Sequence, residues 1–274
     1  MKIKDIIPPF IVRLLQSAIL FKVHCKGDFT SYDAALKKCE GYEESALVDV
    51  IFKKTVIAKE KLNSEGKFEV DSNTAQIMMG LCLSARVNQI NVIDLGGAFG
   101  YHYLIAKSLL KEKYKLKWCV VETPAIVARA KPFESPELMF ASSLEESFVK
   151  LGEVDVVFSS STLQYIPSSY KILEEIIALK VNHLLMVRIP LIESGQEKIA
   201  IQYSKYSCNG PGHLPKGMND GVAKYPIQFL SKKKIEEILS TTYNIKLFTD
   251  KDSASLTYRG KTIKTYGYFA TLKK

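Results

Sequence analysis

The chain has 274 residues, of which 47% are hydrophobic and 24% charged, and this composition excludes a disordered, collagen-like or coiled-coil protein. The formal net charge of +9 divides into +2 over residues 1–90, 0 over residues 91–190 and +7 over residues 191–274. Because the basic excess lies mainly in the last third, it favours contact with a small anion or a membrane-bound molecule over binding of DNA or RNA.

The cysteines give no sign of a metal centre or a disulfide framework. Their number, five, is odd, and no two of them stand at C-x-x-C spacing. We therefore expect no metal site, and we expect a reducing compartment, the cytoplasm.

The first residues are apolar but do not predict a membrane span. Residues 6–21 are too few to cross a bilayer, contain Arg13 and are interrupted early by Pro8-Pro9. The pattern from residue 10 onward predicts an amphipathic helix that packs against the rest of the protein. The alternative is peripheral contact of this helix with the inner face of the membrane.

The first ninety residues have a helical pattern. It predicts a helix over 31–61 with a break at Gly41-Tyr42, a turn at 63–66, and a helix over 74–87 capped by Asn73. We assign residues 1–73 to a helical N-terminal extension and residues 74–274 to the main domain.

From residue 91 the pattern alternates between apolar strands and helices. Strands are predicted at 91–95, 118–122, 138–141, 154–159 and 183–188, and helices at 101–110, 125–131, 144–150 and 170–179. This alternation predicts a doubly wound α/β fold with a parallel sheet, whose ligand lies at the carboxyl ends of the strands. Residues 189–230, rich in glycine and proline, predict a lid-like insertion, and a helix at 231–240 and strands at 243–248 and 266–272 follow.

The most informative motif follows the first of these strands. Asp94 ends the strand, Gly96, Gly97 and Gly100 form a turn, and a helix begins at residue 101. Glu122 ends the next strand, where a carboxylate can accept hydrogen bonds from a ribose diol. The spacing does not fit the dinucleotide fingerprint G-x-G-x-x-G, because Asp94 stands in the place of its first glycine.

This motif resembles that of the class I S-adenosylmethionine (SAM)-dependent methyltransferases. The resemblance implies a Rossmann-like, mostly parallel sheet of seven strands with a C-terminal antiparallel hairpin, and it covers about residues 74–274. It also implies SAM as the cofactor, whose cationic sulfonium suits an acid at the turn. The residues expected to bind SAM are Asp94, Gly96, Gly97, Gly100, Glu122, Thr123, Ser142, Ser143, Ser159 and Ser160.

A closer resemblance covers the whole chain. Pro8-Pro9, Lys26-Gly27-Asp28 with Tyr32 and Ala35, Gly41-Tyr42, the junction of Val121-Glu122 with Pro124, and Leu163-Gln164-Tyr165 are similar to a family of methyltransferases encoded beside bacterial surface-polysaccharide genes. It implies a small polar acceptor, a saccharide or a nucleotide-linked sugar of such a pathway.

The catalytic residues are less well defined. Related O-methyltransferases place a histidine base where this chain has Gln164, followed by Tyr165, and glutamine takes no proton at neutral pH. His213 in the 189–230 insertion is the remaining candidate base, and methyl transfer by proximity alone needs none. Lys198, Lys205, Lys216 and Lys224 are candidates for holding an anionic acceptor, although solvated lysines are the ordinary reading of a surface loop.

Other functions remain open or are disfavoured. A non-catalytic methyltransferase-like module that binds a partner or a membrane is the competing interpretation. An NAD(P)-dependent oxidoreductase does not fit the glycine pattern, and a nucleic-acid amino-methylase lacks its Asp/Asn-Pro-Pro-aromatic loop. The sequence leaves open the identity of the acceptor, O- versus N-methylation and the oligomeric state.

Overall fold

The computed structural model describes residues 23–65, 71–193 and 195–274. The helices within these ranges are α1 (Tyr32–Leu36), α2 (Ser45–Glu65), α3 (Ser72–Ser84), α4 (Tyr101–Leu110), α5 (Pro124–Ala130), α6 (Leu144–Leu151), α7 (Ser169–Ala178) and α8 (Lys232–Thr242). Within those same ranges, we find no helix with the length and apolar character needed to cross a membrane. The helix predicted from residue 10 falls outside the described residues.

The strands of the described residues form one mixed sheet. They are β1 (Val23–Lys26), β2 (Gln89–Leu95), β3 (Lys115–Val121), β4 (Leu138–Ala141), β5 (Val156–Ser160), β6 (His183–Ile192), β7 (Lys198–Lys205), β8 (Val222–Ser231), β9 (Tyr243–Tyr258) and β10 (Lys261–Leu272). Along the sheet their order is β10-β9-β1-β7-β8-β6-β5-β2-β3-β4, and β10 also pairs with β6.

The centre of the sheet has the predicted doubly wound arrangement. Strands β4, β3, β2, β5 and β6 lie side by side and parallel, which brings their carboxyl ends to one edge. Strand β10 joins β6 antiparallel, and β9 pairs antiparallel with β10, so the predicted C-terminal hairpin is present. The expected total of seven strands is wrong, because ten are described and three of them, β1, β7 and β8, lie in segments predicted as helix or loop.

These three additional strands close a ring with β6, β9 and β10. Strand β7 pairs antiparallel with both β1 and β8. The ring is completed where β1 meets β9 at Cys25 and Tyr258, and where β8 meets β6 at Leu191 and Leu230. A small core fills it, built from Cys25, Ala200, Ile227, Phe229, Leu256 and Tyr258. Residues 189–230, predicted as a lid-like insertion, therefore contain two paired strands, and irregular chain is limited to about 206–221.

Helices cover both faces of the central sheet, as the continuous apolar runs of β2 and β5 require. One core cluster contains side chains of α2, α3, α4 and α5, with Trp118 and Phe158 from the strands. A second contains side chains of α6, α7 and α8, with Ile93 and Val157 from the opposite face of the same strands. The alternation of Ile93 with its buried neighbours on β2 thus supplies both cores.

The N-terminal extension differs from its prediction in three places. Residues 23–26 are the strand β1 rather than part of a helical region. Helix α2 extends to Glu65 and so includes residues 63–65 of the predicted turn. Helix α3 is capped by Asp71, whose carboxylate accepts from the Thr74 amide at 2.7 Å, and not by Asn73.

A buried lysine fixes the irregular segment to α2. Lys54 is 2% exposed, and its Nζ donates to the carbonyls of Ser207 (3.1 Å), Asn209 (2.5 Å) and Gly210 (3.2 Å). Burial lowers the pKa of Lys54. Three main-chain acceptors thus replace the carboxylate that a buried ammonium usually pairs with.

Replacing this lysine should loosen the segment it holds. In Lys54→Met the buried carbonyls lose their donor, which typically costs about 1–3 kcal/mol of unfolding free energy. Thermal unfolding should show a lower Tm, and limited proteolysis should cut within 206–221 faster than in the wild type. Lys53→Met, at the exposed neighbouring position, is the matched control. Equal effects of the two substitutions on Tm and on cleavage would contradict the role of Lys54 in holding residues 206–221.

Candidate functional site

A pocket of about 490 Å³ opens at the carboxyl ends of the central strands. Its walls come from the ends of β2, β3 and β4, from the segment after β5, and from the chain before α2. The lining residues are Tyr42, Glu43, Leu95, Gly96, Val121, Glu122, Thr123, Pro124, Ser142, Ser143, Leu144, Ser161, Thr162, Tyr165, Ile166, Ile172 and Glu175. This is the edge where a doubly wound sheet places its ligand.

The glycine turn after β2 forms the floor of the pocket. Gly96 has φ +74°, and a Cβ atom there would lie 2.3 Å from the side chain of Thr162. The Thr162 hydroxyl donates to the Leu95 carbonyl at 3.0 Å, which ties the segment after β5 to the end of β2. Glycine is required at 96 for both its conformation and this close approach.

Glu122 connects the turn to the next strand. One carboxylate oxygen accepts from the Ala98 amide at 2.9 Å, and the other accepts from the Thr123 amide at 3.1 Å. Burial raises the pKa of Glu122, while the two amides act in the opposite direction. Each oxygen keeps a second lone pair, so the carboxylate can still accept hydrogen bonds from a ligand in the pocket.

Asp94, expected to bind the cofactor, lies beneath the turn and not on the pocket wall. It is 1% exposed, and its Oδ2 accepts from the Trp118 indole at 3.0 Å. A Cβ atom at Gly97 would lie 2.3 Å from the same oxygen, so the turn sits directly on this carboxyl. Burial raises the pKa of Asp94 to about 7. The nearby charge of Glu122 also raises it, whereas the hydrogen bond from the Trp118 indole lowers it.

The end of β4 supplies two serines to the pocket. Ser143 caps α6, its hydroxyl accepting from the Glu146 amide at 3.1 Å. The Ser142 amide and hydroxyl both donate to Glu146 Oε2, at 2.7 and 3.0 Å. Lys150 and these donors lower the pKa of Glu146 to about 2. The two serines are therefore held in place at the pocket rim.

The segment after β5 contributes different residues from those expected. Ser159 and Ser160 are not on the pocket wall. Ser159 is buried within the strand, and the buried Ser160 hydroxyl has no hydrogen-bond partner among the described residues. Ser161 and Thr162, one and two residues further on, line the pocket instead. The end of β5 thus reaches the pocket slightly later than the predicted strand bounds imply.

The candidate catalytic residues occupy three different environments. Tyr165 lines the pocket, and burial raises the pKa of its phenol. Gln164 is behind the wall and 2% exposed; its Nε2 donates to the Ser161 hydroxyl at 2.8 Å. His213 is exposed between β7 and β8 and is not part of the wall.

The remaining predicted residues are placed by the turn itself. Gly97 and Gly100 lie outside the pocket wall, and Gly100, with φ +79°, precedes the first residue of α4. His102, in the first turn of α4, packs edge-on against Phe158 at 5.2 Å. Burial and the charge of Arg188 lower the pKa of His102 to about 4, although Asp71 acts in the opposite direction. His102 is therefore neutral at pH 7.

Two wall residues, Tyr42 and Glu43, come from the N-terminal extension, which the sequence did not predict to enter the site. Tyr42 stacks on Tyr165 with ring centroids 5.9 Å apart and meets Tyr225 edge-on at 5.1 Å. Tyr32 donates to the Tyr165 carbonyl at 2.6 Å. In the sequence, the signal that could have pointed to this part of the wall is the family resemblance of Gly41-Tyr42 and Tyr32.

The hydroxyl of Tyr165 begins a buried polar chain into the six-strand ring. It donates to Gln202 Oε1 at 3.0 Å, and Gln202 Nε2 donates to the Tyr225 hydroxyl at 2.9 Å. Tyr225 in turn donates to Asn209 Oδ1 at 3.1 Å. This chain fixes the ring of Tyr165 against the pocket.

The formal charge of the pocket wall is negative. Glu43, Glu122 and Glu175 line it, and none of the described lysines or arginines does. The lysines considered as anion contacts are placed elsewhere: Lys198 pairs with Asp28 at 3.2 Å, Lys205 pairs with Asp220 at 3.8 Å, and Lys216 and Lys224 are not on the wall. In the described part of the chain, no group of three or more His, Cys, Asp or Glu side chains is arranged to hold a metal ion.

Comparison with known proteins gives similarity in structure alone. No family model and no curated protein matches the chain. Solved structures that it resembles include one from Listeria monocytogenes, provisionally described as a SAM-dependent methyltransferase (17% identity, TM-score 0.46, 73% of this chain and 99% of that one). Another is a SAM-dependent methyltransferase from Clostridium acetobutylicum (12%, 0.47, 81% and 99%). A third is magnesium protoporphyrin IX methyltransferase from Synechocystis, with bound SAM (12%, 0.43, 80% and 97%). Similarity at this level does not identify the reaction.

The raised pKa of Asp94 can be measured through its hydrogen-bond partner. Trp118 is the single tryptophan of the chain, so its fluorescence reports the charge on Asp94. We expect the emission to change with a midpoint near pH 7 and this transition to be lost in Asp94→Asn. Because the folded protein binds this proton more tightly than the unfolded chain, ionisation of Asp94 should reduce stability as the pH rises from about 4 to 7. A midpoint near pH 4, or a transition that persists in the variant, would contradict this.

Proposed function

We propose that the protein is a SAM-dependent methyltransferase acting on a small polar acceptor. The observation that carries the proposal is the charge of the pocket. Among the described residues, three glutamates line it, Glu43 before α2, Glu122 at the end of β3 and Glu175 on α7, and no lysine or arginine does. SAM carries a positive sulfonium and a positive amino group, and a negative wall attracts both.

The donor set of the pocket suits the parts of SAM. Glu122 has free lone pairs at the end of β3, where a ribose diol would donate. Gly96 brings the main chain of the turn to the pocket wall, and Ser142 and Ser143 offer small polar side chains at the rim. The Thr123 hydroxyl, buried without a partner in the described residues, is a further polar atom at this wall. The volume of about 490 Å³ lies in the range of pockets that hold a ligand of this size.

The same wall argues against a dinucleotide. A pyrophosphate needs glycine-turn amides together with neutral or positive surroundings. Here Glu122 already occupies the Ala98 amide, and Glu43 adds a second negative charge. NAD would therefore meet repulsion where SAM meets attraction.

The residues at the pocket favour transfer by positioning over transfer by a dedicated base. Bound SAM supplies a methyl group activated by its sulfonium. Gln164 cannot accept a proton at neutral pH, and His213 is exposed outside the pocket. Tyr165 stands at the wall with a raised phenol pKa, so it stays protonated, and its O–H is already donated to Gln202. Holding the acceptor in line with the methyl group is sufficient for a reactive nucleophile.

We further propose that the acceptor is a saccharide or nucleotide-linked sugar, as the resemblance to the family encoded beside surface-polysaccharide genes implies. The Ser161 hydroxyl at the wall accepts from Gln164 and keeps its own O–H donor, which supports a polar acceptor. Within the 189–230 insertion, the irregular segment 206–221, which Lys54 holds, is the part that would cover the bound acceptor.

Binding of SAM tests the proposal. Titration calorimetry should show binding by the wild type, and Glu122→Gln should weaken it. Loss of hydrogen bonds to a charged acceptor costs about 1.5–3 kcal/mol, equal to roughly 10- to 150-fold in Kd. Glutamine keeps the size of the side chain and one acceptor oxygen, so the pocket should remain formed.

Glu174→Gln is the matched control, since Glu174 is exposed on α7 and is not part of the wall. It should bind SAM as the wild type does. Absence of binding by a folded wild-type protein would refute the proposal and favour the non-catalytic module.

A further inference from the structure

Arg188 stands at a β-bulge beside the pocket. Tyr266 and Tyr268 of β10 pair with Ile189 and Met186 of β6, so two residues, Val187 and Arg188, oppose the single Gly267. Bulges of this kind redirect a side chain and are frequent near functional sites. The Val187 carbonyl accepts from the Ser161 amide at 3.0 Å, which places the bulge next to the pocket wall.

The bulge changes which face of the sheet each residue of β6 supplies. Before it, Leu185 and Val187 belong to the core cluster of α2–α5. After it, the odd-numbered Ile189 and Leu191 belong to the cluster of α6–α8. A one-residue insertion exchanges the two faces in this way. Arg188 is the inserted residue, and it is exposed between two buried neighbours.

The backbone at this position is strained. Arg188 has φ +62°, a left-handed conformation that costs a non-glycine residue free energy. Two further non-glycine residues with positive φ, Ala98 and Ser161, flank the same site. Strain that is concentrated around a pocket is a recognised mark of function.

Arg188 lacks an acidic partner among the described residues, unlike the other arginines there. Arg86 pairs with Glu153 and Asp155, Arg129 with Asp49, and Arg259 with Asp28. The charge of Arg188 affects three side chains of the site. Burial is the larger cause of the lowered pKa of His102, and Arg188 lowers it further. Arg188 also partly offsets the effect of burial, which raises the pKa values of Tyr42 and Tyr165. These residues belong to three separate segments, so the charge of Arg188 acts on three parts of the site.

We propose that Arg188 binds an anionic group, a carboxylate or a phosphate, on the molecule that receives the methyl group; this rests on the proposed function. A guanidinium offers a planar pair of donors that matches either group. Gln164 supports it, since Gln164 Nε2 donates to the Arg188 carbonyl at 3.5 Å and so contacts the strained turn. The negative pocket then attracts the cationic SAM, and the positive Arg188 attracts the anionic acceptor.

Modification by phenylglyoxal, which reacts with free guanidinium groups, tests this directly. Peptide mass spectrometry should find Arg188 modified faster than the ion-paired Arg86, Arg129 and Arg259. Inorganic phosphate and succinate serve as separate competitors and distinguish a phosphate from a carboxylate site. An anion present at twice its Kd should slow the modification of Arg188 about threefold. Failure of both anions to protect Arg188 would overturn the proposal.

The titration of His102, followed by NMR of the four histidines, locates the bound anion. Inorganic phosphate should raise the His102 midpoint from about pH 4 by about half a pH unit, as an added negative charge several ångströms away does. Arg188→Gly should raise the midpoint similarly and remove the response to phosphate. Glycine adopts positive φ without strain, so this variant should fold with a Tm near that of the wild type.

An unchanged response to phosphate in folded Arg188→Gly would place the anion elsewhere and overturn the assignment. Binding of SAM by the wild type is measured in parallel. Failure of SAM binding refutes the proposed function, whereas failure of anion protection with SAM binding intact refutes the role of Arg188 alone.

Discussion

The site depends on the hydrogen bond from the Ala98 amide to the Glu122 carboxylate. It joins the glycine turn after β2 to the end of β3, two segments that meet because parallel strands finish at the same edge. Glu122 thereby stabilises the turn and, in the proposed function, also binds the ligand. Its charge also reaches Asp94 beneath the turn, where it adds to burial in favouring the protonated carboxyl.

The central sheet and its turns could be predicted from the sequence because their signals are local. Helix α4 and strand β4 have the predicted bounds, since an apolar run bounded by glycine or serine is sufficient to define each. The expected positions of Gly96, Glu122, Ser142 and Ser143 on the pocket wall follow from the same rule. Asp94 was misplaced because the sequence shows that an acid ends the strand but not that Trp118 of the neighbouring strand will cover it.

Features that depend on distant contacts could not be predicted. Strands β1, β7 and β8 pair with one another across long separations in sequence, and glycine and proline around β7 and β8 obscured their patterns. Tyr42 and Glu43 reach the pocket through packing of the N-terminal extension. The bulge at Arg188 exists because a single glycine, Gly267, faces two residues of β6, and no periodicity within β6 itself reveals that.

Two regions of opposite charge therefore stand at one edge of the sheet: the glutamate-lined pocket and Arg188, which has no acidic partner in the described part of the chain. Equilibrium dialysis of the wild-type protein with SAM and, separately, with NAD tests directly whether the negatively charged pocket is a SAM site. The negative pocket predicts that the protein retains SAM and does not retain NAD. Retention of NAD, or free passage of SAM, would contradict it.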